Sequence, residues 1–148
     1  MISDFKDLLE VLDVYGVRYL IVGGYAVMKY TEPRLTKDLD LWVATDPDNA
    51  ERTYRALMQF GAPIAGYSPS DFTNEQFWFQ IGVAPVRVDI LLGIPGVSFE
   101  EAWARRVDDE LLGVTAHFIS REDLILAKEA SGRPGDKRDL RRLRKSSG

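Results

Sequence analysis

RYLIVGGYAVMKYTEPRLTKDLDLWV, residues 18–43, is the stretch whose reading decides the fold. Tyr19 to Val22 is a short apolar run suited to a buried strand. Gly23-Gly24 stops it and permits a tight turn close to a ligand. Ala26, Val27 and Met28 favour or tolerate a helix, which Pro33 ends. The chain then returns as Asp38-Leu-Asp40-Leu-Trp-Val43. Side chains alternate along a strand, so Asp38, Asp40 and Trp42 share one face and Leu39 and Leu41 the other. Two carboxylates held side by side repel, and without a cation between them the arrangement costs stability.

A third carboxylate follows in Val86-Arg-Val-Asp89-Ile-Leu91, where alternation puts Val86, Val88 and Ile90 on one face and Arg87, Asp89 and Leu91 on the other. If this strand lies beside the first, Asp89 joins Asp38 and Asp40. Three carboxylates on two strands form an oxygen-rich site for Mg²⁺ or Mn²⁺. Gly23 and Gly24 at a helix start offer backbone N–H groups to a phosphate. A phosphate cradle beside an acidic metal site is what phosphoryl or nucleotidyl transfer requires.

The Gly-Gly pair, the D-L-D strand after a helix-length gap and the apolar strand ending in V-D resemble the nucleotidyltransferase fold of the DNA polymerase beta superfamily. The segment KEASGRPGDKRDL, residues 128–140, is similar to the lysine, arginine and aspartate motif of the nucleotidyltransferase toxins of abortive-infection toxin–antitoxin pairs and their small bacterial relatives. The resemblance runs from about Tyr19 to Leu143. Gly24 stands where that family's glycine–serine pair has its serine. The implied fold is α/β (α+β): a mixed β-sheet with helices packed on it, in one nucleotidyltransferase-like domain over residues 1–148. The implied reaction is metal-dependent transfer of a nucleotide from NTP to an RNA or protein acceptor, within a toxin–antitoxin pair. Asp38 and Asp40 would bridge ions that hold the triphosphate. Asp89 would bind the ion that activates the acceptor, or serve as base. Gly23 and Gly24 would bind phosphate, with Arg34 reaching in from the loop and Thr36 on the face of Asp38 if the strand begins that early. Lys128 and Arg133 resemble the family's nucleotide contacts, while Asp136 and Asp139 read as caps of the last helix or partners of nearby arginines. Two alternatives stand beside this reading: a non-catalytic partner protein of the same fold, and a small-molecule nucleotidyltransferase of the aminoglycoside type. The aminoglycoside enzymes usually carry an added helical domain that 148 residues leave no room for.

Outward from this centre, Ser3 or Asp4 is placed to cap a first helix through Tyr15, with Phe5, Leu8, Leu9 and Leu12 at helical spacing and Gly16 closing it. A second long helix is expected from Pro47, capped by Thr45 or Asp46, to Phe60, with Ala50, Tyr54, Leu57 and Met58 inward. Ala62 to Thr73 reads as loop. Phe77 to Gly82 reads as a strand pairing back onto Val86 to Leu92. The rings of Phe72, Phe77, Trp78 and Phe79 could stack on a base, although packing is their ordinary use. Ser98 with Glu101, and Ser120 with Asp123, have capping-box spacing. Val107 to Phe118 suggests two short strands about Gly113, and His117, the only histidine, has a structural or exposed reading. A last helix is expected from Asp136 to Lys145.

Composition sets the outer bounds. With 45% hydrophobic and 28% charged residues the chain is ordinary for a globular domain. The absence of cysteine excludes disulfides and thiolate zinc sites and fits a cytoplasmic setting. The N-terminus shows no signal-peptide pattern and no apolar run reaches membrane-spanning length. The net charge of −4 hides a split: residues 133–145 hold seven Lys/Arg and two Asp, leaving about −9 for the remainder. An acidic body with a basic C-terminal helix suits a polyanionic partner, or a solvated helix face.

Overall fold

The protein is described by a computed structural model covering residues 2–33, 38–83 and 86–146. In chain order the elements are α1 (Ile2–Val14), β1 (Tyr19–Val22), α2 (Gly23–Tyr30), β2 (Asp38–Val43), α3 (Pro47–Phe60), β3 (Trp78–Val83), β4 (Val86–Leu91), α4 (Phe99–Ala104), β5 (Val107–Leu111), β6 (Val114–Phe118), α5 (Arg121–Ser131) and α6 (Pro134–Lys145), with a 3₁₀ turn at Pro69–Thr73. The strands form one mixed sheet in the order β3-β4-β2-β1-β6-β5. β2 runs antiparallel to β1 and parallel to β4. β3 and β5 are the edges, each antiparallel to its neighbour. This is the mixed sheet with packed helices that the sequence implies.

Alternation along the strands divides the interior. Tyr19, Ile21, Leu39, Leu41, Val43, Val88 and Ile90 face one side, where Phe5, Leu8, Leu9 and Leu12 of α1 and Ala50, Ala56 and Leu57 of α3 cover them. Leu20, Val22 and Trp42 face the other, under Ala26 and Val27 of α2, Ala102 of α4, Leu124 of α5 and Leu143 of α6. Both faces are sealed over β1, so its four residues are all buried. Such burial needs the continuous apolar run seen in the sequence.

Local signals set the helix ends. Asp46 accepts from the backbone N–H of Asn49 at the start of α3, Ser98 from Glu101 at α4 and Ser120 from Asp123 at α5. Gly61 and Gly132 close α3 and α5 in the left-handed conformation. The β5–β6 turn places both Leu112 and Gly113 at positive φ, as a two-residue hairpin of the tight mirror-image type requires.

Three expectations are refined in detail. Met58 is half exposed; Asn49 and Thr53 take buried places on α3, the Asn49 amide binding the carbonyls of Arg18 and Ala44 and the Thr53 hydroxyl donating to the Asn49 carbonyl. The aromatic segment splits: Phe72 and Phe79 stack in the core with ring centres 4.3 Å apart, while Phe77 and Trp78 stay exposed at the sheet edge. His117 takes the structural one of its two readings: its Nδ1 lies 2.6 Å from the Asp108 carboxylate, and its ring sits between Tyr19 and Trp103. Among the described residues no helix is long and apolar enough to cross a membrane.

Candidate active site

The parallel pairing of β2 with β4 builds the site. It sets Asp40 opposite Asp89 and Asp38 opposite Arg87, with all four side chains on one face. The three expected carboxylates therefore share one patch. Asp89 is more enclosed than Asp38, with 13% of its side chain exposed against 35%. The Arg87 Nη2 donates to Asp38 at 2.7 Å and to Asp89 at 3.3 Å, bridging the two acids. The sequence reading named Arg87 only as a face residue; its position two before Asp89 was the signal that it shares the acidic patch.

Asp40 sits deepest against the glycine turn. A Cβ added to Gly23 would lie 2.0 Å from the Asp40 Oδ2, and Gly23 has φ of +69°. Only glycine allows both the backbone turn and the close approach. Burial, the adjacent Asp89 carboxylate and then Asp38 push the Asp40 carboxyl up to about 7, with Arg87 pulling the other way. The Asp89 Oδ1 is buried with no hydrogen-bond partner. Such an orphaned oxygen can be satisfied by a proton on Asp40 or by a cation. The donor set is all oxygen, which fits a hard divalent ion such as Mg²⁺ or Mn²⁺. Among the described residues no three acidic or histidine groups are gathered into a ready-made metal cage, consistent with Arg87 standing between Asp38 and Asp89.

α2 begins at Gly23 with Val22 as its N-cap and no side-chain cap bond, so the first-turn N–H groups of Gly23 and Gly24 are not claimed by a capping side chain. A cavity of about 120 Å³ opens beside this turn, between the sheet and the last two helices. Asp40, Gly23, Leu91, Lys128 and Arg133 are among its walls. Lys128 and Arg133 are thus brought to the site from the far end of the chain, in unequal roles. The Lys128 ammonium is buried between Asp136 at 3.0 Å and Asp139 at 3.1 Å. It ties α5 to α6: both aspartates pair with this lysine, and Asp136 also has a nearby arginine, Arg133, as the sequence suggested. Arg133 is 78% exposed and touches Asp136 through Nε at 3.2 Å. Burial opposes ionisation of Asp136, but hydrogen bonds from Ser131, Lys128 and Arg133 outweigh it and hold the carboxyl at about 2. Arg34 and Thr36 lie outside the described residues.

A family model described as "Nucleotidyl transferase of unknown function (DUF2204)" matches residues 1–147. No curated protein matches the sequence. Eight solved chains share the fold. One is a nucleotidyltransferase-type protein of Thermotoga maritima, 16% identical, with 93% of this chain and 88% of that one aligned at a TM-score of 0.60. The lincosamide antibiotic adenylyltransferase LnuA, solved with lincomycin bound, is 15% identical and aligns over 98% of this chain and 97% of its own at 0.62. An antigenic nucleotidyltransferase-like protein from Paracoccidioides brasiliensis is 16% identical, with 95% and 74% covered at 0.54.

Proposed function

The chain belongs to this nucleotidyl transferase family, and we propose that it uses one site, formed within residues 1–148, to transfer a nucleotide from NTP to an acceptor hydroxyl in a divalent-ion-dependent reaction. The observation that carries the reading is the pairing of Asp40 with Asp89 against Gly23, where a buried carboxylate oxygen lacks a partner. Asp38, Asp40 and Asp89 would hold Mg²⁺ or Mn²⁺, which supplies charge neutralisation for the triphosphate. Gly23 and Gly24 orient the phosphates through backbone N–H groups. Arg34 and Thr36 are assigned to the same phosphates, and Arg133, exposed at the cavity, to the nucleotide. Lys128 acts through the helices it ties together. In the transfer the acceptor oxygen bonds to the α-phosphorus, the α–β anhydride bond breaks with its electron pair leaving on pyrophosphate, and Asp89 receives the hydroxyl proton. Arg87 holds Asp38 and Asp89 in register, and moving away from them frees their oxygens.

The acceptor admits two readings. An RNA or protein acceptor, within a toxin–antitoxin pair, is supported by α6, whose exposed face carries Lys137, Arg138, Arg141, Arg142, Arg144 and Lys145. A small-molecule acceptor is supported by the end-to-end likeness to LnuA, which removes the objection that a chain this short lacks room for such a reaction. The test is a screen of the four α-labelled NTPs with Mg²⁺ or Mn²⁺ against fractionated cell extract. Label transfer that D40N and D89N abolish supports the enzyme; its absence in every combination supports the non-catalytic partner instead.

A further inference from the structure

The sheet face that carries the carboxylates does not end at β4. Register places Gln80 of β3 opposite Asp89, and Trp78 opposite Leu91, which lines the cavity with Asp40. At about 4.8 Å between strands and about 3.4 Å per residue, the Trp78 Cα stands about 8 Å from that of Asp89. Trp78 is 57% exposed and the neighbouring Phe77 50%. A lone exposed ring is ordinary, but a tryptophan beside an amide, on the open side of a carboxylate with an unpartnered oxygen, has the components of a binding platform. Its charge narrows the occupant. From Gly61 to Val86 there is no Lys, Arg or His, and the only charges are Asp71 and Glu75. Nothing on that segment attracts phosphate, and the nearby aspartates repel it; Arg87, opposite Gly82 on the same face, is held between Asp38 and Asp89, and the exposed run of cationic side chains is on α6.

We propose that Trp78 and Gln80 form the acceptor subsite, and that it takes a neutral or amine-bearing hydroxylated ring, a sugar, rather than a nucleic acid. This rests on the transfer reading and on its small-molecule branch. The apolar face of the ring lies on the indole. The Gln80 amide, donor and acceptor together, binds a ring hydroxyl and turns a second toward Asp89.

The full chain is tested by saturation-transfer NMR with lincomycin, glucosamine and methyl glucoside, and with a twelve-residue oligoadenylate as the polyanion. Mn²⁺·ATP binding is followed separately by thermal shift. At least one sugar probe receives saturation in the wild type. W78A weakens it by roughly tenfold or more, Q80A by less, and W78F stays within about threefold, while the Mn²⁺·ATP response is unchanged. Silence of all three sugar probes, or transfer that survives W78A, overturns the proposal. So does oligoadenylate binding that W78A weakens, or a wild-type dimer that W78A splits into monomers. A wild type without any Mn²⁺·ATP response overturns the transfer reading itself.

Discussion

The Asp40 carboxyl makes the metal-free protein sensitive to pH. Its ordinary value is 3.8, and burial beside Asp89 and Asp38 lifts it to about 7 in the fold. Below pH 3.8 both folded and unfolded chains hold the proton, and the group has no effect. Between pH 4 and 7 the folded state keeps a proton that the unfolded state has released, so stability from this group falls as pH rises and is fully lost above 7. The gap corresponds to about 4 kcal/mol as an upper bound. The interval from pH 5 to pH 7 holds about 2.7 kcal/mol of it, and solvent at the open side of the site screens the interaction, so about 2 kcal/mol is the expected loss over that interval. The assay is urea unfolding in EDTA at pH 5 and pH 8, for the wild type and D40N. The wild type loses about 2 kcal/mol between the two and D40N loses little, becoming the more stable protein at pH 8. Mn²⁺ at a hundredfold excess over its Kd restores about 2.7 kcal/mol to the wild type at pH 8 and far less to D40N. Equal pH dependence in the two proteins would refute the reasoning, since the repulsion would then lie elsewhere or not exist.

Gly23→Ala should destabilise by about 2 kcal/mol or more, from strain at positive φ and collision with Asp40, and should abolish the Mn²⁺-induced rise in Tm measured by thermal shift. Lys128→Met strands two buried carboxylates and should cost about 3 kcal/mol in urea unfolding, whereas Arg133→Ala should stay within about 0.5 kcal/mol and raise only the KM for NTP. Because Asp136 is held at about 2, its share of stability is present above pH 4 and lost as pH falls toward 2; Lys128→Met should flatten that acid limb. Replacing Arg141, Arg142, Arg144 and Lys145 by glutamine should weaken oligoadenylate binding and lower its salt slope by about 0.7 per lost contact, as read by fluorescence anisotropy across a salt series; an unchanged slope would assign α6 to a solvated face.

What the sequence made legible is what near neighbours along the chain decide. The bounds of β1 and β2, the Asp46, Ser98 and Ser120 caps and the closing Gly61 each depend on residues within a turn of one another. The shared face of Asp38, Asp40 and Asp89 was legible because alternation has period two and only one assumption, the adjacency of two strands, was needed. The role of Lys128 was not, because a lysine near a helix end looks the same whether it meets phosphate or two aspartates from the following helix. The fate of the aromatic run was hidden for a related reason: burial of Phe72 and Phe79 and exposure of Trp78 depend on β3 being an edge strand, a property of the whole sheet order. Met58 falls on the apolar side of α3 by spacing alone, but the buried side of that helix runs through Asn49, Thr53, Ala56 and Leu57, with Asn49 anchored to the backbones of Arg18 and Ala44, which no periodicity encodes.

The β2–β4 pairing joins residues 49 apart in sequence, as in the Arg87–Asp38 contact, and their antiparallel partners β1 and β3 lie on opposite sides of the pair. Each antiparallel ribbon can close early, but the parallel seam between them needs a long loop to be closed first, so it belongs among the later events of folding. The acidic pocket exists only once that seam has zipped. An ion that binds there finds no complete site in the unfolded chain or in either ribbon alone, since Asp38 and Asp40 stand on one ribbon and Asp89 on the other. It therefore leaves the folding limb of a chevron plot in place and depresses the unfolding limb, lengthening the lifetime of the native state without hastening its formation.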